Sequence, residues 1–395
     1  MAADVANATG GTLVGQNAHL SGVSFDSRTI SPGQLFVPIV AERDGHEFIE
    51  TALKSGAGAY LTQRDPVGRS AIVVDDTLSA LLKLGAWARA RLEPSVGNRV
   101  IGITGSVGKT STKDFISAAL SSELVVSASE RSFNNDQGLP VTLLNAADNS
   151  QALVLEMGMR GFGEITRLCS IGRPAIGVVT SVAAAHTERV GGIEGVVRAK
   201  AELVQALPAL GVGIVNSDSV NAMKTVHGIA ASVVTFGSSE TASVRWEIVS
   251  TDDRGCCTVR FTAGDESAVG VVPLPGIHMA SNAASAVAVG ITCGIGIEQC
   301  VEALSNTQSA SQRMQWVAGR NGIRILDDSY NANPISVAAA LRTVAETSAK
   351  KRFAVLGIMA EVLNSDVAHQ EIAALCRQLG IELLALETDL YGTSA

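Results

Sequence analysis

A chain of 395 residues is longer than a single compact core sustains, and ordinary domain sizes divide it into two or three domains. With 46% apolar and only 17% charged residues it does not belong to the disordered class, and 4% aromatics beside 39 glycines suit helices packed closely on a parallel sheet. The 30 basic and 38 acidic residues leave a net charge of −8, which argues against general nucleic-acid binding while allowing a local cationic pocket.

The six cysteines form no CxxC pair and read as buried, reduced thiols. No stretch reaches the roughly 18 uninterrupted apolar residues of a membrane span, so no membrane insertion is expected. The N-terminal MAADVANATGG has neither the cationic flank nor the apolar core of a secretory signal, and the expected location is the cytoplasm.

In chain order, the first block contains short apolar runs at 35–39 and 71–74, and its spacing predicts a helix over about 77–92. Residues 93–99, with Pro94 and Gly97, read as a linker. The pattern then changes. Residues 100–104 form a buried-strand run that ends in a glycine-rich turn and a helix to about residue 122. Similar runs recur at 152–156, 175–180, 212–216 and 233–236, each before a turn and most before a helical pattern, which predicts a parallel, doubly wound α/β sheet. From about 244 to 274 the alternation predicts antiparallel hairpins, followed by a helix from near His278 or Met279. A last block has strand candidates at 323–326 and 353–356, each leading to a helix; no internal repeat or low-complexity tract is visible.

Residues 102–111 join a strand to a helix as a phosphate loop requires. Gly105, Ser106, Val107 and Gly108 turn successive backbone N–H groups inward, and the helix start at Lys109, Thr110 and Ser111 adds its dipole. Lys109 would reach the β/γ-phosphates and the Thr110 hydroxyl would ligate Mg²⁺. Ile103 stands where the general motif has glycine, so this is a Thr-Gly-x-x-Gly-Lys-Thr subclass. The bland alternative is a glycine-rich turn with an incidental lysine; the strand–helix context favours an ATP or GTP site.

Glu156 and His186 follow later strands, whose ends face the same sheet edge as the loop. A carboxylate and an imidazole there suit a second Mg²⁺. On spacing alone, a helix-capping Glu156 and a partly buried loop histidine explain them equally well.

Further strings carry a resemblance. Ser132-Phe133-Asn134-Asn135, Leu155-Glu156-Met157-Gly158, Ala185-His186-Thr187-Glu188 and Arg198-Ala199-Lys200-Ala201-Glu202-Leu203 follow the loop in order. Gly276-Ile277-His278 with Asn282, then Asp327-Asp328-Ser329-Tyr330-Asn331-Ala332-Asn333-Pro334, complete the set. In order and approximate spacing the chain resembles the Mur ligases over almost its whole length. The last string and the paired asparagines resemble the branch that adds D-alanyl-D-alanine to UDP-N-acetylmuramoyl-tripeptide. Asp26-Ser27-Arg28, Pro32-Gly33 and Asp44-Gly45-His46 look like its nucleotide-sugar domain.

The resemblance implies three domains: 1–96 for the UDP-sugar peptide, 97–308 for ATP, and a Rossmann-like 309–395. It also implies that Lys109 and Thr110 contact ATP phosphate and Mg²⁺, that Glu156 and His186 are metal ligands, and that Lys200 is carbamoylated and helps hold a second Mg²⁺. Asn282 matches an adenine contact, Arg313 a γ-phosphate contact and Asp328 a ribose contact. Ser27, Asn134 and Asn135 match positions near the UDP-linked substrate, and Asn331 and Asn333 are carried as substrate-binding candidates from the same string. The implied activity is ATP-dependent amide formation through an acyl phosphate in cell-wall precursor synthesis, by a monomer. A helix-surface lysine in an ion pair remains the alternative for Lys200.

Several positions depart from the family pattern: Ile358 stands where Asp is usual, Met279 where Asn is usual, and Ser181 where Asn is usual, while Glu361 and His369 fall in place. The last domain is shorter than the family's and is expected to be incomplete, with an open apolar sheet edge. Competing readings are a sibling or folylpolyglutamate-type ligase, and a catalytically impaired ATP-binding protein. The Asp26-Ser27-Arg28 block argues against a folate enzyme, which would begin near the phosphate loop.

Overall fold

The structure, a computed structural model, describes every residue except 69, 131, 184–186, 309, 361, 363 and 393–395; the side chains of 187 and 188 are also outside the described set. A strand covered on both faces needs apolar side chains at consecutive positions, and Val100–Thr104, Ala152–Glu156 and Ile176–Val179 are buried at every residue. They pair side by side in parallel, with Val100–Thr104 in the middle. Val126–Ala128 extends this sheet on one side, and Val212–Asn216 and Ser232–Gly237 extend it on the other.

The chain thus leaves Val100–Thr104 for one side of the sheet and returns to build the other. The end of that strand is the point where strand order reverses, the usual place for a ligand crevice in an open α/β sheet. The hairpins expected over 244–274 are present as Val244–Thr251, Cys256–Ala263 and Glu266–Pro275, which complete a nine-stranded sheet.

Two apolar layers cover its faces. On one, Phe115 and Ile116 of the helix Lys109–Leu120 meet Met279, Ala283 and Val287 of the helix His278–Thr292, whose small side chains let the two helices lie close. On the other, Leu92, Leu168 and Leu203 come from the helices Thr77–Val96, Glu164–Gly172 and Ile193–Gln205.

The helix from Thr77 corrects the expected linker. Asp76 caps it by accepting the Ser79 N–H at 2.7 Å, and it runs through Pro94 to Val96 before Gly97 leaves the helix with φ 50°. Pro94 falls in the last turn, where it forfeits a single backbone bond, and full burial of Leu92 and Val96 outweighs that loss.

The N-terminal region forms a five-stranded sheet in the order Thr12–Val14, Ala71–Val73, Ala59–Thr62, Leu35–Phe36, Val23–Ser24. It is fastened to the central sheet's helices. Asn145, at the end of the helix Gly138–Asn145, accepts the Val23 N–H at 2.8 Å and donates to the Val23 carbonyl at 3.0 Å, as a neighbouring strand would. The buried Arg89 donates from Nε to the Gly172 carbonyl at 2.8 Å.

In the C-terminal region, Arg324–Asp327 pairs antiparallel with Gln315–Ala318, a strand that sequence reading missed, so the candidate at 323–326 belongs to a hairpin and not to a wound parallel pair. Phe353–Leu356 pairs in parallel with Glu382–Ala385, backed by the helices Pro334–Glu346 and Ser365–Gln378. Phe353, Val355 and Leu384 are exposed on this small sheet. No described helix is long and apolar enough to cross a membrane.

Replacing Asn145 by Ala removes both bonds to Val23 and leaves that strand's N–H and carbonyl without these partners. The expected outcome is a loss of about 1–3 kcal/mol in chemical denaturation; an unchanged midpoint would show that the two regions do not depend on this pair.

Candidate functional site

The phosphate loop is shaped by close approach. Gly108 has φ +83°, which side-chain-bearing residues rarely adopt, and it opens the helix Lys109–Leu120. A Cβ on Gly105 would collide with the Thr180 hydroxyl, which donates to the Val107 carbonyl at 2.7 Å. Ser106 is bonded to the segment after Ile176–Val179: its N–H donates to the Ser181 carbonyl at 2.9 Å and its hydroxyl to the Ala183 carbonyl at 3.0 Å. These bonds hold the loop at the switch point of the sheet.

Three ionisable groups meet beside it. Glu156, 1% exposed at the end of its strand, accepts the Thr110 hydroxyl at 2.9 Å and the Asn134 amide at 2.8 Å. The Lys109 ammonium donates to the Gly105 carbonyl at 2.8 Å. Burial lowers its pKa, Glu156 opposes that shift, and Arg313 adds to it. Lys200, 3% exposed, is pushed well below the ordinary lysine range by burial and then by Lys109. Both effects favour its neutral amine.

A cleft of about 850 Å³ collects most of the residues singled out in the sequence. Ser106, Val107, Gly108, Lys109, Thr110, Ser111, Glu156 and Lys200 line it, as do Asn134, Asn135, Asn282, Arg313, Asp328, Asn331 and Asn333. Gly105 is not among the lining residues, and its conformation is set by Thr180 beneath the loop. Ser27 does not line the cleft; it is buried next to the strand Val23–Ser24. His186 lies outside the described residues.

Several side chains also have local duties. Asn135 Oδ1 accepts the Gly138 N–H at 2.9 Å at the start of a helix, and Asn333 caps Pro334–Glu346 by accepting the N–H groups of Ile335 and Ser336 at 3.1 and 3.0 Å. Asn331 Oδ1 accepts the Ala332 N–H at 3.0 Å. The Arg313 guanidinium lies 4.0 Å over the Tyr330 ring and donates to the Ser132 hydroxyl at 3.2 Å. Asp328 accepts the Met314 N–H at 3.1 Å, and burial raises its pKa to about 6. Asn282 stands against Gly108 and donates to the Met279 sulfur at 3.6 Å.

Sequence reading missed a supporting layer. Glu156 donates its N–H to the Ser129 hydroxyl at 3.1 Å, and the buried Lys113 ammonium donates to the Ser129 carbonyl at 2.8 Å. Lys113 lies one helical turn beyond Lys109, a spacing that carried the signal, but Ser129 has no motif to mark it.

The donor set fits Mg²⁺. Thr110 and Glu156 offer adjacent hard oxygens, and this buried carboxylate is held by neutral donors, with no ion pair to it found among the described residues. Among the described residues no group of three or more His, Cys, Asp or Glu could hold a metal.

The chain matches three family models: the Mur ligase family catalytic domain over 19–82, the Mur ligase middle domain over 103–290, and the Mur ligase glutamate ligase domain over 312–389. A Bacillus subtilis UDP-N-acetylmuramoyl-tripeptide–D-alanyl-D-alanine ligase is 34% identical, with 94% of this chain and 81% of the relative covered. Among solved structures, the UDP-N-acetylmuramoylalanyl-D-glutamyl-2,6-diaminopimelate–D-alanyl-D-alanyl ligase of Acinetobacter baumannii superposes with a TM-score of 0.83 at 26% identity, covering 98% and 85% of the two chains. The MurF ligase of Thermotoga maritima in complex with ADP gives 0.79 at 26% identity, covering 95% and 87%. With similarity at this level running through both chains, the protein belongs to the Mur ligase family.

Proposed function

We propose that this protein joins D-alanyl-D-alanine to the free carboxylate of UDP-N-acetylmuramoyl-tripeptide, with ATP converted to ADP and phosphate, in peptidoglycan precursor synthesis. The observation that carries this reading is the meeting, in one cleft, of an anion-binding loop with Lys109, a buried Glu156–Thr110 pair and the buried Lys200. The relatives of that name, and the related ligase solved with ADP, support the substrates and the nucleotide.

In this reading residues 1–96 hold the UDP-sugar, 97–308 hold ATP, and the Rossmann-like 309–395 adds Arg313, Asp328, Asn331 and Asn333 to the cleft. The loop N–H groups and Lys109 hold the β- and γ-phosphates, and Arg313 reaches the γ-phosphate. Asn282 and Asp328 hold the nucleoside, while Asn134, Asn135, Asn331 and Asn333 face the peptide substrates, and Ser27 serves the UDP end. Mg²⁺ would supply positive charge that offsets the negative charge of the reacting groups. Thr110 and Glu156 would hold one ion, and His186 with a carbamoylated Lys200 a second. The protein works as a monomer in the cytoplasm.

Both chemical steps crowd negative charge, so the protein's part is fixed donors and orientation. In the first step a carboxylate oxygen attacks the γ-phosphorus and ADP leaves, giving an acyl phosphate. Lys109 offsets charge on the transferring group and Arg313 steadies its outer oxygens. In the second, the dipeptide amine attacks the carbonyl carbon, loses a proton, and phosphate departs.

Lys200 owes its suitability for carbamoylation to its surroundings: a neutral amine reacts with CO₂ and releases a proton, and the resulting anion faces Lys109, turning repulsion into attraction.

Phosphate release tests the reading. It is expected only when ATP, UDP-N-acetylmuramoyl-tripeptide and D-alanyl-D-alanine are all present; tight ATP binding with no release under those conditions would instead favour an impaired nucleotide-binding protein. Lys200→Ala is expected to lose most turnover and to recover part of it with short carboxylates, whereas full activity in that variant would sink the carbamate. Asp328 is ionised above about pH 6, so its grip on a ribose hydroxyl should weaken as pH falls through that value. The KM for ATP is expected to rise below about pH 6, and Asp328→Asn to flatten that rise.

A further inference from the structure

Glu156 ends its strand, and four residues on, Arg160 lines the same cleft together with Arg167, Leu168 and Leu78. Its loop is fixed along its length. The Gly158 N–H donates to the Asn134 carbonyl at 2.7 Å, the Arg160 N–H to the Glu164 carboxylate at 2.7 Å, and the Gly163 N–H to the Glu202 carboxylate at 2.7 Å. The backbone under Arg160 is therefore set, while its exposed guanidinium has no hydrogen bond or ion pair with any described residue.

The acids on this wall are already engaged. Asp136 takes the Arg167 guanidinium through both oxygens, at 2.9 and 2.5 Å, and Glu164 takes the Arg160 N–H. A guanidinium held on a fixed loop, with its acidic neighbours occupied, is preorganised for a carboxylate from outside.

The acceptor peptide of the Acinetobacter relative contains glutamyl and diaminopimelyl residues. Each carries two carboxyl groups; chain linkage uses one of the glutamyl pair, and the new amide uses one of the diaminopimelyl pair. One carboxylate on each residue therefore takes no part in the reaction. We propose that Arg160 binds a non-reacting carboxylate of the acceptor peptide and so acts as a specificity residue. This rests on the ligase reading above.

Steady-state kinetics of the full chain test it, with the diaminopimelate-containing tripeptide and two analogues, one amidated at the glutamyl carboxylate and one at the non-reacting diaminopimelyl carboxylate. Arg160→Gln is expected to raise KM for the peptide about tenfold or more, with KM for ATP and kcat kept, and Arg160→Lys to recover part of the loss. One of the two analogues should impose the same loss on the unmodified protein and none further on Arg160→Gln. An unchanged peptide KM, an equal rise in the KM for ATP, or losses that multiply for both analogues would overturn the inference. If the unmodified protein turns over none of the three peptides, the ligase reading falls and takes this inference with it; turnover by the unmodified protein with no effect at Arg160 removes this inference alone.

Discussion

A half-buried lysine, Lys109, a buried lysine, Lys200, and a buried carboxylate, Glu156, share the floor of the cleft, and the rest of the structure is arranged around them. Burial and then Lys109 lower the tendency of Lys200 to hold a proton; burial and Arg313 do the same to Lys109, where the field of Glu156 opposes them. Buried charge on this scale costs stability unless something external completes it. In the reading proposed above, a polyanionic nucleotide is what offsets it. The net charge of −8 is no obstacle, because the positive potential is local and set in low dielectric.

That floor depends on backbone placed by the sheet. The parallel strands Val100–Thr104, Ala152–Glu156 and Ile176–Val179 deliver the loop, Glu156 and the Thr180 prop to one edge. Ser129 ties the neighbouring segment to Glu156, and Lys113 ties Ser129 to the loop helix. The N-terminal sheet is fastened to a helix behind the cleft through Asn145, and Arg89 joins two of the helices there. The C-terminal region reaches the cleft through Arg313, whose bond to Ser132 joins it to the segment that carries Asn134. The cleft wall is thus held by contacts far apart in the chain.

What was legible in the sequence was local or strongly periodic. The phosphate loop is ten contiguous residues between a strand and a helix, and the central strands announce themselves as apolar runs. What was not legible depended on partners distant in the chain. The Asn145–Val23 pair spans 122 positions and leaves no pattern in either segment. Gln315–Ala318 was missed because its residues are half-buried or exposed and lack a continuous apolar run. Pro94 suggested a linker, but the burial of Leu92 and Val96 decided the helix. Asn135 and Asn333 were read as substrate contacts; in the fold the Asn135 amide oxygen accepts an N–H at a helix start and that of Asn333 caps a helix.

The claim at the centre is that a peptide carboxylate attacks the γ-phosphate before the amine arrives. Isotope transfer tests this most directly: the reacting carboxylate of the tripeptide is labelled with ¹⁸O and the phosphate released in the complete reaction is analysed by mass. The expected result is one ¹⁸O carried from the carboxylate into the phosphate for each amide bond formed. Amide formation with unlabelled phosphate would contradict it.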